Sequence, residues 1–272
     1  MGISVQKTFL GKSMMVKEKK ILIAGCYGDF AKEIAQSLHK AGASLILAGK
    51  SKKKFLEKYK DSGIKGFEKL FFECDLSDEE SVLDLEKKTN KLTKDLHGIV
   101  NCVAFPAYTK SIFETELAAW NEAFKVDVNS VFLVSKIFGK HLVDAGGGSI
   151  VNFTSFHIKA TYPNRILYNA CKSAVEGITR SMAVEVGKYN VRVNSIAPGP
   201  IYSSRTKFFL EQNPTVKTKM LARTPLNKIG TLGDVADLVL FLSSDYSKHI
   251  TGQQLVIDGG WSVNAWFESF NT

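Results

Sequence analysis

The chain has 272 residues, 44% of them apolar, and a formal net charge of +9. That length accommodates one large α/β domain or two small ones, and the apolar share excludes wholesale disorder. No run of about 18 apolar residues is present to cross a membrane, while the basic balance keeps nucleic acid, anionic membrane surfaces and anionic small molecules in view as partners.

The opening segment, MGISVQKTFLGKSMMVKEKK, is basic and lacks a continuous apolar stretch, so it reads poorly as a signal peptide. Gln6 stands where a myristoylation signal wants Ser or Thr. Residues 1–18 are expected to form a loose extension, with Met15 as an alternative start, and residues 19–272 one domain. Short apolar runs then alternate with helical patterns. KILIAG (20–25) leads into a helix reaching His39, with Phe30, Ile34 and Leu38 four apart and Gly42 closing its C-terminal end. SLILAG (44–49) precedes a lysine-rich helix in KSKKKFLEKYK (50–60), whose plain reading is a solvated face. KLFFECD (69–75) precedes SDEESVLDLEKKTNKL, and GIVNCVA (98–104), GSIVNFTS (148–155), VRVNSIAPG (191–199) and QQLVIDGG (253–260) complete seven strand candidates. Unbroken Val, Ile and Leu runs indicate strands buried on both faces, and strand–helix alternation predicts a doubly wound parallel sheet with ligands beyond the strands' carboxyl ends.

Cys26, Cys74, Cys102 and Cys171 form no CxxC pair, so no zinc or redox motif is expected, and free thiols suit a reducing cytoplasm. No basic strand is interleaved with aromatics, so nucleic acid is not an expected partner. The chemistry gathers at strand ends. The fifth run ends in NFTSF, with Ser155, and thirteen residues later YNACK supplies Tyr168 and Lys172 on one helix face. An ammonium beside a phenol favours the phenolate, which suits the phenol to exchange a proton with an alcohol or carbonyl oxygen. Tyr162 has Ile166 four residues on, where a lysine would be needed, and is not the candidate.

At these residues the sequence resembles the short-chain dehydrogenase/reductase family over about residues 18–262. The resemblance rests on TSF with Ser155, YNACK, RVNSIAPGPI, FLSSDYSKHITGQQLVIDGG, and Trp120 ahead of VDVNSVF. It implies an α/β, Rossmann-like single domain, NAD(P) as hydride carrier and the carbonyl-reductase branch, which includes 3-oxoacyl-carrier-protein reductases. Enoyl reductases of the family space tyrosine and lysine more widely. By position Ser155 looks like the substrate-oxygen donor, Tyr168 the acid/base, and Lys172 the residue that tunes the tyrosine and holds the ribose. The expected cofactor-facing positions are Gly25, Tyr27, Asp29 and Phe30; Lys50 and Ser51; Asp75 and Leu76; Asn101; and Pro198, Gly199 and Ile201, with Tyr168 and Lys172. The resemblance also implies a homotetramer. The tail WSVNAWFESFNT, with Trp261, Trp266, Phe267 and Phe270, points the same way, since exposed apolar surface marks contacts.

Three positions depart from the family. Its TGxxxGxG falls on Ala24, Gly25, Asp29 and Ala31, so a carboxylate stands near the pyrophosphate position. Asp29 is expected to cap the helix and compete with phosphate for its N–H groups, with Gly28 supplying flexible backbone. The family's NNAG appears as NCVA (101–104), with Ala104 for a glycine. Asp127 takes the place of an asparagine that contributes to a proton relay, partly through its carbonyl. No acid follows the second strand to bind a ribose 2′-OH; Lys50 and Ser51 suit a 2′-phosphate, with Lys52 to Lys54 adding positive field, so NADP is expected and NAD is the alternative. The substrate, a small carbonyl or alcohol compound, should meet FPAYTKSIF (105–113), FHIKATYPNR (156–165) and a lid over 201–221. There His157, Lys159, Arg165 and Arg205 suit an anionic or acyl-linked compound. The rival reading is a dinucleotide-binding scaffold or sensor that has lost turnover.

Overall fold

The unbroken apolar runs become strands because each is covered on both sides. In β1 (Lys20–Ala24), Ile21 and Ile23 enter one core with Val100, Val151 and Ile196, while Leu22 and Ala24 enter another with Ile99 and Ile150. Successive side chains of a strand point to opposite faces, so a strand between two cores must be apolar at every position.

The computed structural model describes residues 15–93, 95–105 and 109–265. After β1 come β2 (Ser44–Gly49), β3 (Phe71–Glu73), β4 (Gly98–Asn101), β5 (Gly148–Phe153), β6 (Val191–Pro198) and β7 (Gln254–Ile257). They form one parallel sheet in the order β3-β2-β1-β4-β5-β6-β7. The helices among the described residues are α1 (Asp29–Lys40), α2 (Lys52–Tyr59), α3 (Glu79–Asn90), α4 (Leu117–Phe124), α5 (Ser130–Asp144), α6 (Ile166–Val186), α7 (Ser204–Gln212), α8 (Pro214–Arg223) and α9 (Leu232–Ser243). Buried residues of α1, α2 and α9 cover one face; those of α3, α5 and α6 cover the other. The chain reverses direction across the sheet between β1 and β4, which opens a crevice at their carboxyl ends, where ligands of such sheets bind.

Local sequence sets the element ends. α1 closes in a Schellman motif: Gly42 N–H bonds His39 O and Ala43 N–H bonds Leu38 O, both at 3.0 Å. Gly42 sits one residue past the cap Ala41, at φ +91°, where a side chain is disfavoured. The lysine-rich helix α2 is held from below, Phe55 and Tyr59 packing at 4.6 Å and Phe55 stacking on Phe71 at 4.4 Å. Residues 15–18, expected within a loose extension, are instead packed on the domain: Val16 is fully buried, and Glu18 N–H bonds Gly42 O at 3.0 Å. Residues 1–14 lie outside the described residues. All four cysteines are free, and no helix among the described residues is long and apolar enough to cross a membrane.

Candidate active site

The dinucleotide turn starts where β1 ends. Gly25 lies at φ +85°, and a Cβ there would fall 2.7 Å from the backbone N of Val103, so this turn packs directly on the chain leaving β4. Gly28 is the N-cap of α1, with ordinary extended backbone (φ −68°, ψ 160°), and no side chain caps the helix. The expectations that Gly28 supplies unusual backbone freedom and that Asp29 caps α1 are therefore both corrected. Asp29 is the first helical residue, and its carboxylate turns away from its own helix. It accepts a hydrogen bond from the backbone N–H of Ser204 at 2.7 Å and pairs with Lys58 of α2. Burial pushes its carboxyl up, but the bonds from Lys58 and Ser204 outweigh that and hold it below the usual carboxylate range. The first-turn N–H groups of α1 are thus unclaimed by side chains, which fits an anion such as a pyrophosphate.

At the end of β2, the Tyr27 ring covers Gly49: a Cβ on Gly49 would sit 2.7 Å from its phenol oxygen. That oxygen accepts the Ser51 N–H, and burial pushes the phenol up to about 12. Ser51 caps α2 through Lys54 N–H at 3.3 Å. Lys50 pairs with Asp75 at 2.6 Å, and Asp75 also accepts from Ser77 N–H and its hydroxyl at 3.1 and 2.7 Å. Asp75 is therefore a strand-terminating turn residue as well as a crevice residue. Leu76 behind it is buried, and the Phe30 ring stacks on Phe153 at 5.8 Å.

Asn101 spends its amide N–H groups on Asn152 of β5 at 2.8 Å and on Ser135 of α5 at 3.1 Å, while its buried Oδ1 has no partner. An orphaned acceptor at this strand end also fits a bound polar ligand. Across the crevice, Pro198 ends β6, Gly199 packs on Asp258, and Ile201 is buried and bridges to Gly230.

Tyr168, Lys172 and Asp127 come together, and Ser155 connects to them through His157. Ser155 follows β5 in extended conformation, 2% exposed, its Oγ accepting the His157 N–H at 3.3 Å. Tyr168 lies in the first turn of α6, and Lys172 Nζ sits 5.8 Å from its ring centroid. Lys172 is itself buried and lies 3.6 Å from Asp127, which is 2% exposed. Asp127 comes from a π-helical turn, Lys125–Asn129, between α4 and α5, and also accepts Phe105 N–H at 2.6 Å. Such wide turns interrupt regular helices, frequently at functional sites. Burial raises the Asp127 carboxyl against the pull of Lys172 and the Phe105 N–H.

His157 meets Tyr168 edge-on, rings 5.8 Å apart at 86°, and Tyr162 at 4.5 Å. Burial, then the Arg165 charge, pushes the imidazole down to about 4. It therefore adds no positive charge for an anionic substrate near neutral pH, contrary to its grouping with the basic residues. Lys58 and Ser204 escape sequence reasoning altogether.

Residues 28–262 match the family model described as Enoyl-(Acyl carrier protein) reductase. The chain belongs to the short-chain dehydrogenase/reductase family. It is 32% identical to an L-xylulose reductase of Caenorhabditis elegans over 248 residues, 91% of this chain and 97% of that one. Among solved structures, ElxO with NADP bound superposes with a TM-score of 0.81 at 27% identity, covering 90% of this chain and 98% of that one. A 7α-hydroxysteroid dehydrogenase complexed with NADH and 7-oxo glycochenodeoxycholic acid gives 0.81 at 26%, covering 92% and 96%. The chain is thus an oxidoreductase of the short-chain dehydrogenase/reductase family with an NAD(P)-binding Rossmann fold, and these comparisons side with the enzyme over the scaffold reading.

Proposed function

We propose that the protein interconverts a carbonyl and a secondary alcohol with NADP. The observation that carries this is the buried ammonium of Lys172, 5.8 Å from the Tyr168 ring on the same helix and 3.6 Å from Asp127. The dinucleotide, when bound, supplies or accepts hydride at the substrate carbon. In reduction Tyr168 Oη gives its proton to the carbonyl oxygen, and in oxidation it takes one from the alcohol. Ser155 Oγ orients that oxygen. Lys172 supports the phenol and holds the ribose, and Asp127 positions Lys172 through their ion pair.

Lys50 and Ser51 suit a 2′-phosphate. Lys52 to Lys54 are exposed in the first turn of α2, where cations oppose the helix dipole, so helix stability does not explain them. On the substrate side, a cavity of about 610 Å³ is lined by Tyr162, Arg165 and Asn169 among others, and Arg165 Nε and Asn169 Oδ1 are buried without partners. These support a substrate with a polar or anionic extension, including an acyl-linked one. Four free thiols support a cytoplasmic setting.

The test is a panel of ketones, aldehydes and oxoacyl thioesters, with enoyl thioesters as the contrasting class, assayed by absorbance with NADPH and NADH. Carbonyl turnover favouring NADPH is expected. Tyr168→Phe should lower turnover by about 10²–10⁴-fold, roughly 3–5 kcal/mol of barrier, with cofactor binding nearly unchanged. Tyr162→Phe should do little. Equal or better use of NADH sinks the NADP assignment. Turnover of enoyl thioesters alone, or a fully active Tyr168→Phe, sinks the mechanism.

A further inference from the structure

Asp29 joins three elements. It starts α1, it pairs with Lys58 on α2, and it accepts the N–H of Ser204, the first residue of α7, at 2.7 Å. Its carboxylate therefore binds the N-terminal end of α7 from the first residue of α1. Both helix starts are positive ends of helix dipoles with N–H groups that lack intrahelical acceptors; the carboxylate serves as the anion for α7, and the first-turn N–H groups of α1 stay unclaimed beside it.

We infer that Asp29 is a built-in stand-in for a phosphate group, a positioning residue that latches α7 to the dinucleotide turn and competes with the cofactor's pyrophosphate. The inference rests on the dinucleotide reading above. Few other contacts hold this segment. Of α7 only Leu210 is buried, Phe208 and Phe209 are 68% and 50% exposed, and the chain before it is held by Tyr202 N–H on Gly230 O at 2.8 Å. A charge-assisted bond is then a large share of what orders the start of the helix. Lys58 keeps the carboxylate ionised and in place. A pyrophosphate reaching the α1 N-terminus meets a like charge there, and must either displace Asp29 from Ser204 or bind against it.

Two variants separate the latch from general destabilisation. Asp29→Asn keeps the side chain's shape and removes its charge. Ser204→Pro deletes the backbone donor and the hydroxyl together, both of which face Asp29: Ser204 is the first helical position, where proline is tolerated, and Ser203 before it is already extended at φ −85°, ψ 165°. Hydrogen exchange of the cofactor-free proteins should show residues 205–212 exchanging several-fold faster in both variants, with α6 unchanged. In fluorescence titration Asp29→Asn should bind NADPH about tenfold more tightly than wild type, and the gain should shrink at high salt. Unchanged exchange over 205–212 in both variants overturns the latch. Faster exchange with equal or weaker NADPH binding overturns the competition. If neither NADPH nor NADH binds wild type or Asp29→Asn, the dinucleotide reading and the competition fall together, and the exchange result alone decides the latch.

Discussion

His157 shows how burial decides a residue's chemistry. From the sequence it is one of several basic groups near the substrate; in the structure it is a neutral ring packed against Tyr168 and Tyr162. Because burial depresses the imidazole to about 4, the unfolded chain takes up its proton at higher pH than the folded one. Stability should therefore fall as pH drops from about 6.5 toward 4, by up to about 3 kcal/mol from this residue. Urea unfolding at several pH values should show that slope flattened in His157→Gln; an identical slope in both proteins would rule this origin out. Tyr168 and Lys172 are legible from spacing alone, because a four-residue interval on a helix is itself a geometric statement. Asp29 is legible only as an oddity. Its partners Lys58 and Ser204 lie 29 and 175 residues away, and no local pattern announces such a pairing.

At the level of elements, periodicity and turn residues foretell the seven strands, the helices α1, α2 and α6, and the Gly42 turn. The strand ends are where pattern reading overruns. The runs 69–75 and 98–104 shrink to Phe71–Glu73 and Gly98–Asn101, because Lys69 and Leu70 belong to a 3-10 turn ahead of β3 and the residues after Glu73 and Asn101 leave the sheet. The π-helical turn carrying Asp127 has no such signal, since one wide turn leaves the helical apolar spacing on either side intact. The turn after β1 makes a quantitative case. Gly25→Ala places a methyl group at φ +85° and 2.7 Å from the Val103 backbone N. Left-handed strain and overpacking together should cost about 2–4 kcal/mol. The expected result is a lower urea midpoint together with weakened cofactor binding; wild-type stability would mean that the turn relaxes away from β4.

For the whole molecule, the family resemblance implies a homotetramer, and exposed apolar side chains on α5 and α6, Phe132 at 49% and Val184 at 84%, leave surface for partner copies. The aromatic tail offered as a contact is only partly described. Trp261 folds onto its own subunit, edge-on to Phe156 at 6.0 Å and under Arg223 at 5.1 Å. Trp266, Phe267 and Phe270 lie outside the described residues. Light scattering at micromolar concentration should give four times the 30.0 kDa chain mass; a monomer mass would refute the expectation.

The sequence by itself determined the doubly wound sheet, the placing of chemistry at strand ends and the Tyr168–Lys172 pair. Each depends on spacing within one element or on alternation between neighbours, and such information is local. Only the tertiary structure decided what each charge faces: Lys50 on Asp75, Lys172 on Asp127, Asp29 on Lys58 and Ser204. Those pairings join segments far apart along the chain, and whether a carboxylate caps its own helix or ties down another depends on which donors the folded backbone brings within about 3 Å.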